Sequence, residues 1–237
     1  MKVGSLFAGI GGIDLGFHQA GFEIVWANEL DKDACKTYRL NFPDTKLFEC
    51  DIRKLDVSLL SKVDIITAGF PCQPFSICGN QKGFSDNRGN LFFDIMRITD
   101  AVKPQIIFLE NVANLVEHDK GRTFNVIHNE LVSRGYYLRY LVADACDYGI
   151  PQHRTRTYIL AFRDVERCES YRFPEMVKLE NEFLILLINP SRLMTVTIFL
   201  RTARNTTKWL KQSPTIIKYI VFRTMGYNPA KTVFALP

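Results

Sequence analysis

A single rhythm limits what this chain can fold into. Over the first 165 residues, short apolar runs alternate with segments of helical period. That alternation is met by strands lying mostly parallel in one sheet, joined by helices that cover both faces. Lys2–Leu6 reads as the first strand, followed by a glycine-rich turn and a helix to about Ala20. Phe22–Ala27 is a second strand and Lys32–Leu40 a second helix. Lys46–Glu49 and Val63–Ala68 are short strands, and Phe70–Gly89 is a long irregular stretch. Leu91–Val102 has helical period and stops before Pro104, which cannot continue a helix. Gln105–Leu109 is a buried strand, and Phe124–Ser133 an amphipathic helix with Gly135 as its cap. Tyr136–Val142 and Thr157–Phe162 are the last two strands. The prediction is an α/β fold with a doubly wound, mostly parallel sheet.

Composition narrows the class. A hydrophobic fraction of 47% suits a globular core. No apolar stretch reaches the ~18 residues of a membrane span, and Met1–Phe7 runs into a strand without a signal-peptide layout. The six cysteines, Cys35, Cys50, Cys72, Cys78, Cys146 and Cys168, include no C-x-x-C pair. Their spacing therefore predicts no zinc site, and in a cytosolic chain they are expected as reduced thiols. The net charge of +5 is uneven. Residues 181–237 hold eight Lys/Arg and one Asp/Glu, or +7, which leaves −2 for residues 1–180. By bulk charge the body is not a basic nucleic-acid-binding domain.

The segment Gly69–Ser76 reads Gly-Phe-Pro-Cys-Gln-Pro-Phe-Ser. Its prolines, Pro71 and Pro74, exclude a helix interior and a paired central strand. Cys72 therefore sits on a stiff loop at the carboxyl end of a strand, where open α/β sheets place their chemistry. Phe7–Gly12, Phe-Ala-Gly-Ile-Gly-Gly, lies between the first strand and the first helix. Glycines there let a ligand approach the backbone beside a positive helix end, although a tight structural turn gives the same pattern. The spacing is not the full G-x-G-x-x-G fingerprint. Glu29 and Asp51 follow the second and third strands; each alone reads as a solvated loop acid, but three ligand-type positions after three successive strands favour a cofactor site. Glu110-Asn111-Val112 follows Gln105–Leu109, and a lone Glu there reads as a cap or a solvated strand end. In Gln152-His153-Arg154-Thr155-Arg156, alternation places Arg154 and Arg156 on one side of an extended segment, a pattern common in surface charge.

Taken in order, these blocks resemble the DNA (cytosine-5)-methyltransferases, of the bacterial restriction–modification type. The resemblance rests on Phe7–Gly12, Glu29, Asp51-Ile52, Gly69–Ser76, Glu110-Asn111-Val112 and Gln152–Arg156, with Gly83–Phe93 and Asp147–Gln152 in support, and spans roughly residues 3–175. It implies a Rossmann-like S-adenosylmethionine-dependent methyltransferase fold. It implies methyl transfer from S-adenosylmethionine to cytosine C5 in double-stranded DNA through a covalent bond from Cys72 to C6. Glu110 is then the acid that binds the cytosine N3 and amino edge, Arg156 holds O2, and Arg154 supports the loop or a phosphate. Phe7, Gly9, Gly11, Glu29, Asp51, Ile52, Pro71 and Leu91 are implied to line the cofactor pocket, with no metal. The target base must leave the duplex to be reached, with Phe70–Gly89 as the covering loop. A monomer is expected in the bacterial cytoplasm, near the nucleoid, beside a cognate restriction endonuclease and without membrane contact.

After about Asn181 the pattern changes to an apolar run, Glu182–Ile188, and then to basic, Thr-rich sequence. Family members continue with a target-recognition domain and two further blocks, which residues 181–237 do not match; Met225–Lys231 resembles a late block only faintly. The expectation is a catalytic domain over 1–175 and a divergent basic tail over 176–237. That tail reads as a truncated or off-frame remnant of the recognition region, or as a small basic domain of its own, so the chain is expected to be C-terminally incomplete. Three alternatives accompany the enzyme reading: an inactive remnant that binds cofactor or a partner chain, a tRNA cytosine-5 methyltransferase, and half of a split enzyme.

Overall fold

A computed structural model describes residues 1–71, 91–150 and 152–177. Seven strands form one sheet in the order β3-β2-β1-β4-β5-β7-β6. They are β1 (Lys2–Leu6), β2 (Glu23–Glu29), β3 (Lys46–Glu49), β4 (Ile65–Gly69), β5 (Ile106–Val112), β6 (Tyr137–Asp144) and β7 (Thr155–Phe162). β1 pairs in parallel with β2 and β4, β2 with β3, and β4 with β5. β7 runs antiparallel beside β5. The helices are α1 (Gly12–Gln19), α2 (Lys32–Asn41), α3 (Leu91–Val102), α4 (Arg122–Ser133) and α5 (Val165–Ser170).

The sheet is covered on both faces, as the strand–helix rhythm requires. Ile65 and Ile66 are consecutive on β4 and point into different core clusters, the two-residue period of a strand. Ile65 joins Val3, Ile24, Tyr38 and Phe42, with Leu15 and Phe17 of α1 packed alongside. Ile66 joins Leu6, Ala68, Ile107 and Leu109 under Phe92, Ile95, Met96 and Val102 of α3 and Ile127 and Leu131 of α4. On α3 the buried positions 92, 95, 96, 98, 99 and 102 trace one face at helical spacing. Trp26 is fully buried and its indole Nε1 donates to the Ser61 carbonyl at 3.0 Å. It lies over Gly4, where a Cβ would fall 2.2 Å from the indole ring.

Helix starts follow local chemistry. Asp31 caps α2 by accepting from the backbone N–H groups of Asp33 and Ala34 at 2.9 and 2.8 Å. Gly11 opens α1 at a φ of 93°, and a Cβ there would meet Phe42 at 2.3 Å, so only glycine fits. Gly135 follows α4 at a φ of 78°, in the expected cap position.

Three expectations need correction. Glu110, Asn111 and Val112 do not follow β5 but form its last residues, because β7 supplies partners for them: Glu110 pairs with Tyr158, Asn111 with Thr157 and Val112 with Arg156. For the same reason Arg156 is inside β7 rather than before it. Glu29 likewise ends β2 instead of lying beyond it.

The chain divides into two units: residues 1–143 with 155–173, which hold the sheet, and residues 144–154 with 174–237. In the second, a short turn at Ala145–Asp147 leads to Tyr148, which forms an isolated bridge with Val177. Val177 N–H also donates to the Asp147 carbonyl at 2.7 Å.

Candidate active site

β1 and β4 are neighbours in the sheet, and their connections leave in opposite directions, toward β2 and toward β5. A crevice opens at the carboxyl ends of strands at such a reversal, which is where ligands enter open α/β sheets. A cleft of about 460 Å³ lies there, lined by Phe7 after β1, Asn28, Glu29 and Leu30 at the end of β2, Cys50–Arg53 after β3, Pro71 after β4 and Leu91 at the start of α3. Phe7, Glu29, Asp51, Ile52, Pro71 and Leu91 are thus brought to one surface from five places in the chain. Gly9 and Gly11 are not among its walls. Gly9 instead stands beside it, with its N–H donating to Glu29 Oε2 at 2.7 Å.

The floor of the cleft is held by hydrogen bonds. Glu29 Oε1 accepts from the N–H groups of Leu30 and Asp31 at 2.8 Å each, so this carboxylate ties the glycine turn to the start of α2. Phe7 has a φ of 55°, a left-handed conformation that a bulky residue adopts only when its surroundings impose it. A Cβ on Gly9, at a φ of 57°, would meet no atom within 4 Å, so space beside this turn is open. Asn28 is buried and donates to the carbonyls of Phe48 and Cys50 at 3.0 and 2.9 Å, joining β2 to the turn after β3.

Asp51 caps the short turn Ile52–Lys54 and is gripped by Arg53 through Nε, at 2.9 Å from Oδ1 and 3.0 Å from Oδ2, and through its terminal nitrogen. The hydrogen bonds from Arg53 hold the Asp51 carboxyl down at about 2. Arg97 of α3 reaches the same turn from below: its guanidinium donates to the Ile52 carbonyl at 2.6 Å and the Leu55 carbonyl at 3.1 Å. Cys50, Arg53, Asn28 and Arg97 carry no sequence signal. Their partners are backbone groups or acids set by the fold, and no spacing in the sequence marks them.

A second group of polar residues lies along β5 and β7. Arg156 Nε stands 3.1 Å from Glu110 Oε1, with about a fifth of each side chain exposed. The two are diagonal neighbours across the antiparallel pair, since Glu110 faces Tyr158 and Arg156 faces Val112. Gly69 sits opposite Glu110 on β4, where a Cβ would come within 3.5 Å of Glu110 Oε2. Thr157 Oγ1 donates to the Val112 and Ala113 carbonyls at 3.1 and 3.2 Å and fixes the start of β7 against the end of β5. Asn111, 2% exposed, donates from Nδ2 to the Phe70 carbonyl at 3.0 Å. That bond anchors the backbone one residue before Pro71. Cys72 lies outside the described residues, as does the rest of the loop to Asn90.

The described thiols near the cleft are poor nucleophiles. Burial pushes Cys35 up to about 11, and burial with the neighbouring Asp51 charge raises Cys50. Arg154 belongs to the second unit, where its backbone N–H donates to Asp144 Oδ1 at 3.0 Å. No helix among the described residues is long and apolar enough to cross a membrane.

Sheet order, two-sided helix cover and the cleft at the β1/β4 reversal define an α/β fold of the S-adenosylmethionine-dependent methyltransferase class. The profile described as C-5 cytosine-specific DNA methylase matches residues 1–213, and the chain belongs to that family. It is 52% identical over 177 residues to the Type II methyltransferase M.Bsp6I of Bacillus sp. (strain RFL6), covering 73% of this chain and 56% of that protein. Against the Type II methyltransferase M.HhaI of Haemophilus parahaemolyticus it is 44% identical over 185 residues, covering 78% and 56%. The chain thus spans little more than half the length of these curated relatives. Among solved structures, a mutant of DNMT2 from Spodoptera frugiperda superposes with a TM-score of 0.58 at 29% identity, over 68% of this chain and 50% of that one. Dnmt2 of S. pombe, at 20% identity and a TM-score of 0.58, shares the fold over 97% and 88%.

Proposed function

We propose that this chain is the catalytic part of a DNA (cytosine-5)-methyltransferase that takes S-adenosylmethionine into the β1/β4 cleft and methylates cytosine C5 in double-stranded DNA. Residues 1–175 form its catalytic domain, and 176–237 a divergent basic tail. The observation that carries the reading is the Glu110–Arg156 pair at the end of β5, one strand from the Gly69–Pro71 segment that leads into Cys72. It pairs a hydrogen-bonding acid with a cation one strand from the described segment, Gly69–Pro71, that precedes Cys72 in the chain.

The residues of the cleft suit the cofactor. Glu29 and Asp51 offer carboxylate oxygens to ribose hydroxyls and to an exocyclic amine. Phe7, Ile52 and Leu91 offer apolar surface to a base, and the open space at Gly9 admits close approach to the backbone. Bound there, S-adenosylmethionine supplies an electrophilic methyl group.

Cytosine C5 is a poor nucleophile, and the protein groups act on that. The Cys72 thiolate adds to C6, and the electron pair of the C5–C6 double bond becomes available at C5. Glu110 binds the N3 and amino edge and so favours attack at C6. Arg156 holds O2 and balances the charge that develops there. After methylation, removal of the C5 proton restores the double bond and expels the thiolate. Arg154 supports the loop or a phosphate. The names of the curated relatives M.Bsp6I, M.HhaI and M.SsoII, each a type II methyltransferase, support a place beside a restriction endonuclease in a bacterial cytoplasm.

Incubation of the purified chain with tritiated S-adenosylmethionine and cytosine-rich duplex DNA tests this. Label should pass to DNA with the wild type and not with Cys72→Ala. DNA carrying 5-fluorocytosine should trap the wild type covalently, because fluorine blocks the elimination. Cofactor binding without label transfer or trapping would sink the catalytic reading and leave a cofactor-binding remnant.

A further inference from the structure

Asp144, Cys146 and His153 take no part in the chemistry above, yet the fold brings them together. Asp144 ends β6, Cys146 lies in the turn that follows, and the chain returns so that Ala145 N–H donates to the Arg154 carbonyl at 3.3 Å. Asp144 Oδ1 accepts from the N–H groups of Cys146 and Arg154 at 3.1 and 3.0 Å, which fixes the carboxylate plane. Its Oδ2 then stands 3.3 Å from His153 Nδ1, and Cys146 Sγ stands 3.3 Å from the same nitrogen. The three donor atoms all lie within 4.8 Å of one another.

An exposed histidine–aspartate ion pair is a common surface feature of little energetic weight. Here a thiol converges on the same ring nitrogen as well, so that a carboxylate oxygen, a sulfur and an imidazole nitrogen meet at one point. A cation serves all three. With zinc bond lengths of about 2.0–2.1 Å to nitrogen and oxygen and about 2.3 Å to sulfur, tetrahedral ligands stand about 3.4 Å apart for N–O and about 3.6 Å for N–S. The observed separations of 3.3 Å are within a few tenths of both. We propose that Asp144, Cys146 and His153 form a zinc-type divalent metal site, with water in the fourth position.

A mixed sulfur, nitrogen and oxygen set favours Zn²⁺ or Co²⁺ over Mg²⁺ and Ca²⁺, which take oxygen. The His153 side chain is 90% exposed, which leaves the ion accessible to solvent. A metal takes the Cys146 sulfur as thiolate, so its capture releases the thiol proton. The outer shell is already built, since two backbone N–H groups orient the Asp144 ligand. Binding would staple residues 144–154 at both ends.

Titration of the full chain with Co²⁺, read by the thiolate-to-cobalt charge-transfer band, tests the site, followed by displacement with Zn²⁺. One equivalent should give the band in the wild type and in Cys50→Ser, and Cys146→Ser should lose it. His153→Gln, an exposed change that leaves the fold intact, should weaken Zn²⁺ binding at least about tenfold. Melting in chelator should be the same for all variants. No band in the wild type, an equal band in Cys146→Ser, or unchanged affinity in His153→Gln would each overturn the proposal.

Discussion

Glu110 and Arg156 show what one register position can do. Glu110→Gln keeps the shape of the side chain but removes the charge that faces Arg156, and leaves a half-buried cation without its counter-ion. Under the proposed function, turnover should fall about 10²–10³-fold, while S-adenosylmethionine binding by calorimetry stays unchanged. A fall in cofactor affinity with normal turnover would place Glu110 outside the catalytic pair. Asp14 offers a residue-scale test of stability that needs no substrate. It is fully buried on α1, and its Oδ2 accepts from the Tyr38 hydroxyl at 2.7 Å. Burial raises its pKa above 3.8, against the pull of hydroxyls from Tyr38, Ser5 and Thr67. The folded state therefore holds this proton more tightly than the unfolded chain. Its contribution to stability is full below 3.8 and is lost as pH rises through the raised folded value. The melting temperature of the wild type relative to Asp14→Asn should thus improve as pH is lowered toward 3.8. A difference that moves the other way would mean that Asp14 is buried as a charged group.

At the level of elements, α3 braces the cleft at two points. Its first residue, Leu91, lines the cleft, and Arg97 two turns on holds the turn after Asp51 by two carbonyls. Arg97→Met keeps the apolar stem and removes the donors. S-adenosylmethionine affinity should drop about tenfold, ~1.4 kcal/mol, with turnover at saturating cofactor unchanged. A drop in turnover with full affinity would contradict a positioning role. The same elements show what sequence makes visible. The strands β1, β3 and β4 and the helices α2 and α3 are legible because each carries its apolar period within its own residues. The polar end of β5, Glu-Asn-Val, reads as loop because its pairing partners lie far downstream on β7. Arg97 gives no signal at all, since its acceptors are main-chain carbonyls of a distant turn. The short helix α5, Val165–Ser170, is too brief to show a period and stays hidden for that reason. For the site, residue types alone yield loop acids and a thiol between prolines. Their order, through a family resemblance, assigns them roles.

On the scale of the whole molecule, charge and cofactor chemistry are separated along the chain. Residues 1–180 carry −2 and residues 181–237 carry +7. Under the proposed function, binding of DNA phosphates falls to the tail more than to the cleft. Replacing Arg201, Arg204, Lys208 and Lys211 by Gln should weaken duplex binding about equally for all sequences. It should also flatten the salt dependence by about 0.9 in log–log slope for each phosphate that is no longer neutralised. Anisotropy titrations at two salt concentrations would show this, and cofactor affinity should not move. Unchanged slopes would mean that the tail does not meet the backbone of DNA.

The sheet order also has a consequence for biosynthesis. β7 lies between β5 and β6, although it is made after both. A nascent chain that has released β6 from the ribosome still lacks the strand that belongs between them, so β5 has an open edge there. Every residue lining the cleft has emerged by then, whereas Arg156 has not. The cofactor cleft can therefore assemble early, and Glu110 meets Arg156 only when a late strand inserts into a gap. Open strand edges invite pairing with other chains, so the interval before β7 emerges leaves β5 open to such pairing during synthesis.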